Sequence, residues 1–184
     1  MDNVGFSDRV DANVVRSRGL ENIFKPQGFY TVECRDANGG LKWKEEFHNM
    51  VVDQGINNIL DTMFGAVAKA SWFLGLIDQG GGVTLAAGDT HGTHAGWNEN
   101  INYGAATRPA WTVPTAASKQ VANSSPISFT MSAGGTINGI FLANVNTKGS
   151  TSGAGILWAT ASFGSPQAVL TSDVLNITYT VQGA

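Results

Sequence analysis

Two histidines three residues apart, His91 and His94, sit in the run GDTHGTHAGWNE, with Asp89 before them and Glu99 after. Imidazole and carboxylate are donor types that bind zinc and related cations, so chemistry is sought here first. A glycine-rich loop lacks the fixed ligand spacing that a helix gives to HExxH, and neither a cysteine cluster nor a third nearby histidine completes a set. The simpler expectation is that both rings hydrogen-bond loop backbone or titrate at an interface, with no metal bound. Serine and threonine are plentiful, yet no Gly-x-Ser-x-Gly elbow occurs, and His48, His91 and His94 have no identifiable nucleophile and orienting acid. Any carboxylate pair drawn from Asp78, Asp89, Glu99 and Asp173 is arbitrary. The glycines at 80 to 82 are not followed by the Gly-Lys-Ser/Thr of a phosphate loop. The single Cys34 falls in an apparent strand without a basic, partly exposed setting, and reads as a small buried hydrophobe. The expectation is a protein with no catalytic residues and no cofactor.

The aromatics are more suggestive. Trp72, Trp97, Trp111 and Trp158, with Phe73, Tyr103, Phe129 and Phe163, could form a stacking face for sugars or an anchor set for a protein partner. Trp72 and Trp158 fall within expected strands and are assigned to the core. Trp97 and Tyr103 fall in a long irregular loop and are expected at a contact surface.

The elements that must position these residues are mostly strands. Phe29 to Cys34 and Leu41 to His48 are rich in β-formers, and Asp36, Asn38, Gly39 and Gly40 supply a turn, which gives a hairpin over 29 to 48. On its second strand Leu41, Trp43, Glu45 and Phe47 share a face, which places Glu45 at an edge or interface. Val52, Ile56, Ile59, Leu60, Met63 and Phe64 recur at helical spacing, so a helix over 52 to 64 is expected to bury that stripe, capped by Asp53 and stopped by Gly65. From residue 70 onward short strands alternate with Gly, Asn and Ser clusters: 72 to 77, 111 to 113, 127 to 131, 136 to 144, 156 to 163 and 175 to 181. Ser165 with Pro166, and Thr171 to Asp173, read as turns. Residues 79 to 108 have no regular pattern, and a loop of that length carries function or covers a surface. The fold class is mainly β: an antiparallel β-sandwich of the jelly-roll kind, residues 29 to 184, with one short helix and an extended N-terminal arm over residues 1 to 28.

Charge is distributed unevenly. Seventeen of the 25 Asp, Glu, Lys and Arg residues lie in the first 62 positions, and eight are spread over the remaining 122. A soluble domain gives about a quarter of its residues to charge, so the later stretch suits a surface packed against neighbours. Neither half has a basic face, which argues against nucleic acid and against an anionic membrane. No segment approaches the roughly 20 apolar residues of a membrane span. The arm is expected to become ordered on a neighbouring subunit, because an interface offsets the ordering entropy.

The runs FHNMVVDQGINNILDTMF, WFLGLI, AAGDTHGTHAGWNE, ATRPAW, TINGIFLAN and TSDVLNITYTV together resemble small accessory virion proteins of tailed bacteriophages. The pattern is carried by Asn49, Val51, Gly55 and Ile56, and by Asp173, Leu175, Ile177 and Tyr179, and it covers roughly residues 47 to 184. The resemblance implies a virion location and a capsid cement or decoration protein that binds across capsomers, with the major capsid protein and its own copies, as a homodimer or homotrimer, as partners. Arg18 and Phe24 in the arm, and His94, Trp97 and Tyr103 in the loop, are the expected contacts. The alternative is a collar, head-fibre or tail-tip module that binds a host surface glycan.

Overall fold

The computed structural model describes residues 26–65, 67–78 and 82–183. Arg18 and Phe24 lie outside the described residues, as does most of the expected arm. Among the described residues ten strands form two antiparallel sheets, and one helix accompanies them. The first contains β1 (Pro26–Arg35), β2 (Leu41–His48), β6 (Gln120–Ala122), β7 (Ile127–Thr130) and β10 (Val174–Gly183), in the order β2-β1-β10-β6, with β7 also paired to β10. The second contains β3 (Met50–Val51), β4 (Phe73–Asp78), β5 (Asn98–Asn100), β8 (Gly135–Ala143) and β9 (Leu157–Val169), in the order β3-β9-β8-β4-β5.

A common core lies between them. Tyr30, Val32, Cys34, Leu175, Ile177 and Tyr179 from the first sheet meet Leu74, Leu76, Ile140, Leu142, Ala159 and Ala161 from the second. The expected hairpin is present, with Gly39 at φ +86° in its turn, a conformation that suits glycine. Its second strand is a sheet edge, as expected for Glu45, which accepts a hydrogen bond from Gln167 Nε2 at 2.7 Å. Residues Ile137 to Ala143 of β8 are buried without a break, in keeping with a central strand covered on both faces. In β10, Leu175, Ile177 and Tyr179 are buried while their neighbours are half-exposed.

The residues that carry the virion resemblance serve packing. Asn49 Oδ1 accepts from Gly28 N at 2.6 Å, and its Nδ2 donates to Tyr179 Oη at 2.7 Å. Trp158 Nε1 donates to the same hydroxyl at 3.1 Å, and Tyr30 stacks on Tyr179 at 4.1 Å between centroids. Asn49, between β2 and β3, thereby ties the start of β1 to the buried end of β10. Asp173 accepts from Leu170 N at 2.7 Å, pairs with Lys42, and receives Cys34 Sγ at 4.0 Å. Burial first, and then the Asp173 charge, push the Cys34 thiol up to about 11, so it is a buried, protonated side chain, as expected.

Two expectations fail here. Residues 111 to 113 form no strand: Trp111 N donates to Trp72 O at 2.8 Å, and a lone bridge joins Phe73 to Ala110. The Ser165–Pro166 turn is instead a bulge inside β9, because the register passes from Gly139↔Ser162 to Ile137↔Gln167. Proline lacks the N–H a ladder needs, and a bulge accommodates it. The short strands β3, β5 and β6 have no sequence signal of their own.

The helix α1 (Asp53–Phe64) differs most from expectation. Asp53 is its first residue and Val52 its cap, with no side-chain cap bond; Gly65 does end it, its N–H bonding Asp61 O at 2.9 Å. Its fully buried residues are Gly55 and Asn58, because α1 lies directly on the backbone of β9, and of the expected stripe Val52 is buried and Ile59 packs against the core. A Cβ at Gly55 would collide with the Trp158 carbonyl. The expected apolar stripe points the other way at its C-terminal end: Leu60, Met63 and Phe64 are 50%, 65% and 80% exposed. Gly55→Ala tests this packing. Alanine in a helix interior normally stabilises by about 1 kcal/mol over glycine, but a clash with fixed backbone outweighs it at roughly 1 to 3 kcal/mol. The expected outcome is a lower urea midpoint, and a raised one would show that α1 does not sit on β9.

Candidate functional site

Residues 82–108 fold against the second sheet and are held there by a buried ion pair. Strand β5 pairs with the end of β4 and so places Glu99 inward. Arg108 Nε donates to Glu99 Oε1 at 2.9 Å and Nη2 to Oε2 at 2.7 Å, a two-pronged pair with side chains only 2% and 6% exposed. The remaining guanidinium hydrogens are also used. Nη1 bonds Val145 O at 2.7 Å and His91 Nε2 at 3.2 Å, and Nη2 bonds Ser150 O at 3.1 Å. Glu99 Oε2 also accepts Gly149 N at 2.5 Å, and the guanidinium lies 4.9 Å from the centroid of Phe141. The pair therefore joins loop 82–108 to loop 144–156, with each hydrogen-bonding group matched.

His91 completes the cluster and has a defined proton position. Its Nδ1 is 2.8 Å from the Ser152 carbonyl, which can only accept, and its Nε2 faces an Arg108 N–H, which can only donate. The ring is thus neutral, with the proton on Nδ1. Burial lowers its pKa most, Arg108 and His94 lower it further, and the Ser152 bond and Glu99 oppose them. A depressed histidine contributes stability in full above its unfolded pKa of about 6.5, and that contribution fades as pH falls below it. Wild-type protein is expected to lose more melting temperature between pH 7.5 and 5.5 than the His91→Gln variant; equal losses would remove His91 from the cause.

His94 lies against Trp97, its ring 3.8 Å away and 17° from parallel, and its Nδ1 bonds Trp97 O at 3.0 Å. Both histidines therefore use Nδ1 on loop backbone carbonyls, the simpler of the two expectations for them. Trp97 and Tyr103, expected at a contact surface, are each only 2% exposed, which corrects that assignment. Trp97 is inserted under the loop, with Nε1 donating to Asp89 Oδ2 at 3.0 Å and its ring 5.1 Å from Phe141. Tyr103 packs edge-on against Phe129, with Lys148 Nζ 4.4 Å from its centroid. Burial, with Glu99 beside it, raises the Tyr103 pKa. Of the expected contact residues within the described chain, only His94 keeps part of its surface open.

A hollow of about 210 Å³ opens beside this cluster, bordered by His94, Asn98, Ile101 and Thr151 over the Arg108–Glu99 pair. Sequence reasoning missed two residues that matter most here. Arg108 in ATRPAW and Gln54 at the start of α1 were given no role of their own. Gln54 Oε1 accepts His91 N at 3.1 Å and Leu157 N at 2.7 Å, while Nε2 donates to Gly155 O at 3.1 Å. Among the described residues no three His, Cys, Asp or Glu side chains converge as a metal set, and no helix is long and apolar enough to cross a membrane.

The arrangement defines a mainly β protein of two antiparallel sheets with a loop locked down by a fully matched ion pair. Compared with family models, curated proteins and solved structures, the chain matches none.

Proposed function

We propose that this chain is a structural protein of a bacteriophage virion, a cement or decoration protein that binds across capsomers of the head and stabilises the shell. The observation that carries the reading is the outer face of α1, where Leu60, Met63 and Phe64, with Val67 just beyond, are 50%, 65%, 80% and 48% exposed. Contiguous exposed apolar side chains mark a contact surface in a protein this poor in charge. The Arg108–Glu99–His91 cluster supports a structural role over catalysis, because its groups are spent on one another. We take the two sheets as a jelly roll, supported by the pairing of first and last strands and by repeated crossing of the chain between sheets.

Binding favoured only in the assembled shell opposes its rupture by mass action, and many weak copies add up. The major capsid protein and further copies of this chain are the partners this role requires. Burial of Trp97 removes it both as a capsid contact and as a sugar-stacking face for the alternative fibre or tail-tip module. The test is immunogold electron microscopy of intact particles, with antibody against the purified protein, beside rebinding of wild-type and Met63→Glu/Phe64→Glu protein. Even labelling of heads, with rebinding lost in the double variant, is the expected result. Label confined to a neck or tail tip would favour the fibre module, and unlabelled particles would overturn the virion reading.

A further inference from the structure

A trough of about 760 Å³ beside the start of β4 is bordered by two tryptophans, Trp72 and Trp111. Both indoles are anchored from within. Trp111 N donates to Trp72 O at 2.8 Å, its Nε1 donates to Tyr179 O at 3.3 Å, and its ring lies 5.2 Å from that of Tyr179. The Trp72 ring lies 5.7 Å from Trp158. Each indole is thus half-buried, packed against the core while bordering the trough. Ser71, Thr112 and Thr115, all exposed, add hydroxyl groups to the same border. Indoles beside hydroxyls suit a ring that is apolar on its C–H face and polar around its rim, as a pyranose is. Side chains fixed in advance lose little freedom when a ligand arrives.

Charge narrows the choice of ligand. Lys69 stands exposed at the border of the trough, and Lys119, also exposed, borders a smaller hollow of about 370 Å³ that shares Ala116 and Val121 with it. Among the described residues that border either hollow there is no Asp or Glu, in a protein whose net charge is −3. Lys119 is also held where its backbone is penalised. Ser118 and Lys119 have φ +51° and +61°, in a two-residue turn closed by Ala117 N to Gln120 O at 3.0 Å and Gln120 N to Ala117 O at 2.9 Å. Such turns favour Asn and Gly, so a lysine there carries strain that points to a use for its side chain. We propose that the trough binds an acidic polysaccharide, with sugar rings against Trp72 and Trp111 and carboxylates paired with Lys69 and Lys119. A nucleic acid strand, charged at every nucleotide, needs a basic stripe that two lysines do not make. The site is independent of the shell role, which rests on α1.

Titration of the full-length protein with hexasaccharides of hyaluronan, alginate and polygalacturonate, followed through the indole N–H resonances, tests this. At least one of them is expected to shift Trp72 and Trp111 saturably and leave Trp43 and Trp97 in place, while neutral maltohexaose moves none. Lys69→Glu is expected to weaken that binding about tenfold. Lys119→Gly separates binding from folding, because glycine relieves the turn. Its affinity should fall severalfold while its melting temperature holds or rises. No shift with any of the acidic sugars, or shifts confined to Trp43 or Trp97, would overturn the site. Equal binding of maltohexaose, or unchanged affinity in both lysine variants, would overturn the acidic ligand, and tighter binding of a thymidine hexanucleotide would overturn polysaccharide in favour of nucleic acid.

Discussion

Replacing Arg108 by methionine is expected to cost roughly 3 to 5 kcal/mol of unfolding free energy, because it leaves the Glu99 carboxylate buried with no countercharge. The magnitude follows from the 2% and 6% exposure of the two side chains, which removes the solvent screening that makes surface pairs weak. The Ser150 and Val145 carbonyls and the His91 ring lose their donor in the same step, so both loops loosen together. For a chain of this size the melting temperature should fall by on the order of 10 °C. Combining Arg108→Met with Glu99→Leu should recover part of the loss, since an apolar replacement for both partners carries no unpaired charge. A single variant within about 1 kcal/mol of wild type in urea unfolding would show that the pair is hydrated.

Trp97→Ala is the second large effect, at about 3 to 5 kcal/mol, the usual cost of emptying a buried aromatic site. An exposed tryptophan would lose within about 0.5 kcal/mol, so one denaturation curve separates the two placements of this ring. The loss has three parts: the cavity beneath the loop, the Asp89 carboxylate deprived of its indole donor, and the His94 ring left without its stacking partner. Asp89 keeps its bond from Ala86 N at 3.1 Å, which limits the second part.

Periodicity predicted β1, β2, β8 and β10 because burial of one face, or of both, writes directly into the order of residues. It misplaced the packing of α1 because a helix can dock through its small residues. Gly55 lets the helix backbone reach the Trp158 carbonyl, and no hydrophobicity pattern encodes that approach. The candidate site was half legible. The His91–His94 spacing pointed to the correct loop, yet the group that organises it, Arg108, is separated from Glu99 by nine residues and from Ser150 by 42. An isolated charge in a charge-poor stretch is the one signal that could have found it, since such a charge is retained only where it is matched. Trp97 and Tyr103 were placed on the surface because irregular chain was equated with exposed chain. This loop instead sends Tyr103 into the core between the sheets and Trp97 into a smaller cluster with Ile77, Phe141 and Leu157.

The pairing of Pro26–Arg35 with Val174–Gly183 sets an order of events during synthesis. While the ribosome still holds the last strand, β1 has only its hairpin partner β2 beside it, and the row Tyr30, Val32, Cys34 faces water. The second sheet, drawn from residues 50 to 169, can close earlier. Contacts so distant along the chain form slowly, in the range of about milliseconds to seconds, because loop closure precedes any gain. During that interval the charged residues of β2, Lys42, Lys44, Glu45 and Glu46, hold off edge-to-edge association of unfinished chains. The charges of β2 thus bear on the newborn chain as well as on the sheet edge of the finished one.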